Sequence, residues 1–360
     1  MRRERSHCTR TGARSTRPRR PTPSTPLALS FAAALALAGS HAAAQSNAVA
    51  DFYRGKTVSV VIGSKSGTLS IASQIVARHI GRHLPGQPTS VSQQMPGGAH
   101  LVATNYVYNV AAADGLTILA VNPQVGMAQL AKVPAVRFDV AKFEWLGSSG
   151  SDGVLLGIRA DLPHKTFDDI RRSAQPLIVG STGPGSNSYD MPLLLKEFAG
   201  ANFKLVTGYA ANTDIFLALQ RKEVDAWTAL STTVKLAAAQ GIVRPMVRAR
   251  TPVPGLENLP VDEALATDPV GRSLMAVRGI PLSIGRAFGV RSGTPPERIA
   301  ALREALTATI ADPKFRAEAQ AATIETEHIA ASEVTRLFAE LLNQPPAVLD
   351  VMGKYIKAGE

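Results

Sequence analysis

Residues 55–80 read GKTVSVVIGSKSGTLSIASQIVARHI. Val58 to Ile62 is a short, β-branched apolar run, the composition of a buried strand. A glycine–serine loop follows, Gly63-Ser64-Lys65-Ser66-Gly67-Thr68-Leu69-Ser70. Ile71, Ile75, Val76 and Ile80 then recur at helical spacing. His83-Leu84-Pro85-Gly86 stops that helix. Strand, flexible turn and helix in this order form the opening unit of an α/β fold.

Downstream the unit repeats. Ser90 to Met95 reads as a strand, Pro96-Gly97-Gly98 as a turn, and Leu101, Val102, Asn105, Tyr106 and Tyr108 as a helix. Asp114-Gly115 turns the chain into a strand from Leu116 to Val121. A fresh series starts at Val154–Ile158. It continues with strand Leu177–Gly180, a second glycine–serine loop, and a helix through Leu193, Leu194 and Phe198. Strand Phe203–Val206, helix Thr213–Arg221, strand Val224–Ala229, a helix around Val234–Ala239 and strand Val243–Val247 complete it. Residues 249–260 read as loop, Arg286–Val290 as a strand, and the remainder as a helix-rich tail. No internal repeat is present. The alternation predicts parallel sheets with helices on both faces, in two α/β lobes between which the chain crosses. Ligands of such sheets sit at the carboxyl ends of the strands.

The 360 residues carry a net charge of +11, with 45% hydrophobic and 5% aromatic side chains. That much apolar material excludes disorder as the main state. Eight arginines and one acid, Glu4, fall within residues 1–44; setting them aside leaves 31 Lys+Arg against 27 Asp+Glu, a net of +4. No basic stripe interleaved with aromatics remains, so nucleic acid is not an expected partner. Residues 1–44 read as a secretory signal: a charged stretch, the apolar run Leu27–Ala38, and Ala42-Ala43-Ala44 as the cleavage site. Twelve apolar residues span only ~18 Å as a helix, short of a ~30 Å hydrocarbon core. The single cysteine, Cys8, lies in this segment, so the exported chain is expected to hold no disulfide or thiolate metal site.

Two strand-to-helix loops stand out. The first spans Gly63 to Ser70, and the second runs Gly180-Ser181-Thr182-Gly183-Pro184-Gly185-Ser186-Asn187-Ser188. Free N–H groups and the helix dipole at such ends favour a carboxylate or phosphate, although turn and capping chemistry uses the same residue types. Four charge-assisted bonds at ~1.5–3 kcal/mol each give roughly 6–12 kcal/mol gross, against about 8 kcal/mol for a micromolar complex. An arginine clamp is therefore not required. Enzyme motifs fail. Lys65 sits where a nucleophile elbow needs Ser, and Ser188 where a dinucleotide fingerprint needs its third Gly. His79 and His83 stand four apart with no Glu between them, and both are expected on the solvent side of their helix. Asp168-Asp169 reads as a helix-start cap.

The ordered series GKTVSVVIGSKSGTLSIASQIVARHIGRHLPGQP, VSQQMPGGAHLVATNYVYNVAAADGLTI, FDVAKFEWLGS, STGPGSNSYDMPLLLKEFAGANFKLVTGYAANTDIFLALQRKEVDA and GVRSGTPPERIAALREALTATIADPKF resembles the extracytoplasmic receptors of tripartite tricarboxylate transporters, the Bug receptors. It runs from about residue 52 to the C-terminus. The resemblance implies a two-lobed periplasmic binding protein fold of type II-like architecture, each lobe a sheet flanked by helices, with the ligand cleft between lobes. Residues 45–152 with 283–360 are expected to form one lobe and 153–282 the other. The implied function is capture of a small carboxylate in the periplasm and delivery to a two-subunit membrane permease, by a monomer with no cofactor, no metal and no catalytic activity. A sensor subunit of the same fold and an exported hydrolase are the alternatives.

By this resemblance the first binding loop falls on Ser64, Lys65, Ser66, Gly67, Thr68 and Ser70. The next turn falls on Gly97, Gly98 and Ala99, and the loop after the third strand on Asn122, Pro123 and Gln124. The second-lobe loop falls on Ser181, Thr182, Gly183, Ser186 and Asn187, with Thr213 and Asp214 opening a helix near the cleft. Relatives carry Asp where this chain has Ser70, and more glycine before it. Loss of that carboxylate favours a simple carboxylate over an amino acid as ligand.

Overall fold

The computed structural model describes residues 47–355; the secretory-signal reading of residues 1–44 and Cys8 lies outside them. Helix α1 (47–53) leads into β1 (Thr57–Ile62), α2 (Thr68–Ile80), β2 (Thr89–Gln94), α3 (Leu101–Asn109), β3 (Thr117–Val121), α4 (Gln124–Leu130) and β4 (Glu144–Ser148). The next series is β5 (Val154–Arg159), α5 (Phe167–Arg171), β6 (Leu177–Gly180), α6 (Asn187–Ala199), β7 (Phe203–Val206), α7 (Asn212–Gln220), β8 (Ala226–Leu230), α8 (Ser231–Ala239) and β9 (Val243–Arg248). The chain closes with α9 (Asp262–Leu265), α10 (Pro269–Ile284), β10 (Ala287–Val290), α11 (Pro296–Ala311), α12 (Pro313–Ala321), β11 (Ile329–Ala330), α13 (Ala331–Leu342) and α14 (Pro346–Tyr355).

The strands form two sheets, ordered β11-β4-β10-β3-β1-β2 and β7-β6-β8-β5-β9. Neither is wholly parallel, which corrects the expectation from alternation. In the first sheet β1 runs parallel to β2 and β3, whereas β10 is antiparallel to β3 and β4. In the second, β6 is parallel to β7 and β8, whereas β5 is antiparallel to β8 and β9. The reversals of β5 and β10 have one physical origin. A crossover helix returns the chain to the amino edge of its own sheet and so yields parallel neighbours. Strands β5 and β10 are instead reached from the other sheet. The chain leaves β4 at its carboxyl end and begins β5 after only residues 149–153. It leaves β9 likewise and returns to β10. In each case the chain arrives at a carboxyl edge, so the carboxyl edges of the two sheets are joined by residues 149–153 and 249–286.

These two crossings run against each other. Ser149 N donates to Arg286 O at 3.0 Å, Arg286 N to Gly150 O at 2.9 Å, and Asp152 N to Leu282 O at 3.0 Å.

The core follows from the apolar runs. Val58, Val60, Val61 and Ile62 of β1 are completely buried, as are Trp227 of β8 and Phe288 of β10. Each large side chain so placed contributes roughly 1.5–3 kcal/mol by leaving water. Helix α13 seals the first sheet with Val334, Leu337, Phe338 and Leu341, and Phe338 stacks on Trp145 with ring centroids 4.7 Å apart. The sequence pattern does not predict the 16-residue helix α10; Asp268 caps it by accepting from Gly271 N at 2.9 Å, and Pro269 begins it. Asp169 forms the capping box of α5, in line with the cap reading of that pair.

His79 corrects a second expectation. It is buried rather than solvent-facing, 2.7 Å from Glu318 of α12 and edge-on to Phe315. His83 lies 3.0 Å from Asp312. The tail helices cover the face of α2 that the local pattern leaves open.

Candidate ligand-binding site

Strand β1 delivers the first loop to the carboxyl edge. At Gly63 the backbone passes beneath His100: a Cβ there would lie 2.7 Å from His100 Nδ1 and 3.0 Å from its Cα. Residues Lys65, Ser66, Gly67 and Thr68 are exposed, and Gly67 adopts φ 88° as the N-cap of α2. Backbone N–H groups of Lys65 through Ser70 have no hydrogen-bond partner among the described residues; the first amide to find one is Ile71, donating to Gly67 O at 3.0 Å. Helix α2 has 13 residues and no acid in its first turn, so its positive end is uncompensated. Ser70 plays a holding part. It is buried, its Oγ donates to Ser64 O at 3.4 Å, and Gln74 Nε2 donates to that Oγ at 3.1 Å.

The neighbouring turn is conformationally costly. Gly97, Gly98, Ala99 and His100 all have positive φ, at 140°, 52°, 49° and 75°. Two of the four carry side chains, each at a cost of roughly 1–2 kcal/mol. Gly97, Gly98 and Ala99 are exposed, whereas His100 is half-buried. Burial lowers the His100 pKa below its usual value, so the ring is neutral at pH 7. Its Nδ1 and the nearby Ser64 Oγ are both buried without a partner among the described residues. Sequence reading does not single out His100; its signal is a histidine set directly before a helix in a glycine turn. After β3, Asn122 Oδ1 accepts from Gln124 N at 3.0 Å, Pro123 is buried and Gln124 is exposed. Asn122 thus caps the start of α4.

The glycine–serine loop after β6 is built differently. Ser181 Oγ accepts from Gly183 N at 3.1 Å, Ser188 Oγ from Thr182 N at 3.1 Å, and Asp190 Oδ1 from Gly185 N at 3.0 Å. Ser186 Oγ donates to Gly183 O at 2.7 Å. Side chains within the loop and the first turn of α6 therefore occupy three of the amides that the sequence reading leaves for a ligand. Asp190 is buried, and desolvation pushes its pKa up to about 6, against the opposing pull of Gly185 N–H and Arg278. Buried Arg278 pairs with buried Asp262 at 2.6 Å and reaches Asn187 Oδ1 at 3.4 Å. Thr213 and Asp214 are exposed, and Asp214 Oδ2 accepts from Ala211 N at 3.0 Å, which caps α7.

A cavity of about 50 Å³ links the two sheets' loops. It is lined by Thr68 from the first sheet, by Leu230, Ser231 and Thr232 from the second, by Ser151, Asp152 and Gly153 of the first crossing, by Arg286, and by Thr323, Ile324 and Glu325. Its volume suits one carboxylate group or a few waters. An adjoining cavity of about 430 Å³ shares Ser151, Gly153, Ser231 and Glu325. No residue of 181–187, nor Thr213 or Asp214, lines either one. Across from Thr68 stands the β8–α8 turn, which sequence reasoning missed by starting that helix at Val234. Its signal is Ser231-Thr232-Thr233 directly after an apolar strand.

Amides, hydroxyls and the Arg286 guanidinium can hold an anion by hydrogen bonds, with Asp152 and Glu325 sharing the lining. Among the described residues no group of His, Cys, Asp and Glu is placed to hold a metal ion, and no helix is long and apolar enough to cross a membrane. A serine–histidine contact joins His164 Nε2 to Ser173 Oγ at 3.1 Å, but His164 Nδ1 has no orienting partner among the described residues. This pair does not line either cavity.

No family model matches the chain, and no curated protein does. Solved structures do. A TctC solute-binding protein from Polaromonas superposes with a TM-score of 0.68 at 17% identity, over 84% of this chain and 99% of that one. MatC from Rhodopseudomonas palustris, solved with bound malate, gives 0.52 at 22% identity, over 82% and 99%. A second R. palustris protein, solved with adipate, gives 0.52 at 20% identity, over 79% and 94%. At these identities the likeness is one of fold: the chain has the two-lobed architecture of periplasmic binding proteins, built here from two mixed sheets joined at their carboxyl edges.

Proposed function

We propose that this chain is an extracytoplasmic solute-binding receptor of the tripartite tricarboxylate transporter type, which captures a small carboxylate and delivers it to a two-subunit membrane permease. The run of amides from Lys65 to Ser70, without partners among the described residues and at the positive end of α2, carries the reading. Each charge-assisted bond from such an amide is worth roughly 1.5–3 kcal/mol, and a neutral sugar forgoes the charge. Likeness in fold to proteins solved with malate and with adipate supports a carboxylate as the ligand.

In this reading residues 45–152 with 283–360 form one lobe and 153–282 the other, and the ligand lies between them. Ser64, Lys65, Ser66, Gly67 and Thr68 face it from one side, with Gly98, Ala99, Asn122 and Gln124 at the rim. Ser231 and Thr232 join the expected Ser181–Asn187 loop on the other side. The protein acts by binding and release; no ligand bond is made or broken. Residues 1–44 are an export signal cut near Ala44, and the mature monomer works in the periplasm.

Mass spectrometry of the small acid that co-purifies with the mature protein tests this. Calorimetric titration with citrate, succinate, malate, adipate, glutamate and a set of sugars completes the test. At least one acid is expected to bind in the micromolar range or tighter. Binding of sugars alone overturns the carboxylate assignment.

A further inference from the structure

Arg286 is 2% exposed, at the point where the second crossing joins β10. Its guanidinium is fixed in place. Nη2 donates to Glu325 O at 2.7 Å, and its own backbone is bonded on both sides to the first crossing, through Ser149 N and Gly150 O. A Cβ on Gly150 would lie 2.2 Å from Nη2, so glycine there makes the room that the guanidinium occupies. Nη1 pairs with Asp152 Oδ1 at 2.5 Å, and Nε is buried with no partner among the described residues. An unsatisfied donor on a buried cation is costly, so this cation has capacity that the described chain does not use.

The two members of the ion pair differ in freedom. Arg286 is sealed in, whereas the Asp152 side chain is 32% exposed and can be released to water. Both line the small cavity that Thr68 and Ser231 also line.

We propose that Arg286 is the cation that reads the ligand's carboxylate, and that Asp152 holds its place until the ligand arrives. This rests on the carboxylate-receptor reading and adds to the backbone amides a charged specificity-determining residue. Asp152 uses a single donor of the guanidinium. A carboxylate pairs readily with a guanidinium N–H, so a ligand carboxylate arriving past Thr68 competes with Asp152 for Nη1. Asp152 then turns outward. Because it sits on the first crossing, its release also frees that segment from the guanidinium, which couples capture of the anion to the joint between the sheets. A ligand that does not displace Asp152 leaves the joint as it is.

The test is isothermal titration of the mature protein with succinate, L-malate and adipate. Asp152→Asn removes the competitor and is expected to tighten binding of whichever acid the wild type binds by about 5- to 20-fold. A residue that serves only as structure does not improve binding when it is lost. Arg286→Gln is expected to weaken the same acid at least 30-fold, and Arg286→Lys, which keeps the charge without the planar fork, about tenfold. Should the arginine variants fail to fold, Asp152→Asn decides alone. Asp161→Asn is the control, an acid paired with Arg159 and Lys222 that lines neither cavity; it should change affinity less than twofold. Unchanged or weaker binding in Asp152→Asn overturns the exchange, and so does equal tightening by both acidic variants. If no acid binds the wild type, the carboxylate function itself fails and the exchange with it.

Discussion

Two residues show how single side chains carry cost at this site. Gly63 lies against His100, and His100 sits in the left-handed region with φ 75°. Gly63→Ala should lose roughly 1–3 kcal/mol of stability, because backbone and ring have to move apart in a packed place. His100→Gly removes both the ring and the backbone strain, so the double variant should recover most of the loss. Urea midpoints of the four proteins in the cycle measure the coupling; additive losses would show that the two residues do not press on each other. Asp190 is the second case. Its pKa rises from 3.8 to about 6, chiefly because the folded chain desolvates it. The folded state then holds a proton that the unfolded chain has already lost. Stability attached to this group is complete below pH 3.8 and is lost as pH rises through about 6. Asp190→Asn keeps an acceptor for Gly185 N–H and removes the charge. It should therefore stabilise the protein at pH 8 by on the order of 2–3 kcal/mol, and by roughly half as much at pH 5. Thermal unfolding at both pH values reads this out, and an equal shift at both would refute it.

At the scale of elements, two glycine–serine corners that look alike in sequence do different work. After β1 the corner leaves six amides without a partner among the described residues: Ser70 turns its hydroxyl to a carbonyl, and Ser64 Oγ is buried but accepts from none of them. After β6 the hydroxyls of Ser181 and Ser188 and the carboxylate of Asp190 accept from the loop's own amides. Thr68 offers a clean measurement of what the free amides contribute. As the first residue of α2 it tolerates proline, which fits the helical backbone there and lacks only the N–H. Thr68→Pro should leave the melting temperature within about 2 °C, since no intrahelical bond is lost. It should also weaken the carboxylate roughly tenfold or more, the worth of one charge-assisted bond. Unaltered affinity in calorimetry would remove α2 from the site.

Over the whole molecule, the joint between the sheets decides what binding does. The two crossings are hydrogen-bonded to each other through Ser149, Gly150, Asp152, Leu282 and Arg286. In the proposed receptor, closure of one half on the other would bend these tied crossings, as in hinge closure. Saturating the protein with its acid should lower the radius of gyration in small-angle scattering by a measurable fraction of an ångström. It should also raise stability by about 2.7 kcal/mol at a ligand concentration of 100 Kd. Stabilisation with no change in scattering would mean that the ligand binds without closure.

By itself, the sequence determined the units. Val58–Ile62, the glycine–serine run and the helical spacing of Ile71, Ile75, Val76 and Ile80 are local signals, and residues near in the chain are enough to specify them. Helix α10 escaped because Gly271, Gly279 and Pro281 interrupt its pattern; the two glycines make room for Phe198 and Arg250, which come from elsewhere in the chain. Only the tertiary structure decided the rest: that β5 and β10 run backwards, that His79 is covered by Glu318 and Phe315, that the β8–α8 turn faces Thr68, and that Arg286 meets Asp152. Those partners lie from about 70 to about 240 residues apart in the chain, and only the folded chain's choice of which edges face each other brings them together. Periodicity records the neighbour within one turn or one pleat, whereas a binding site is made where distant loops converge.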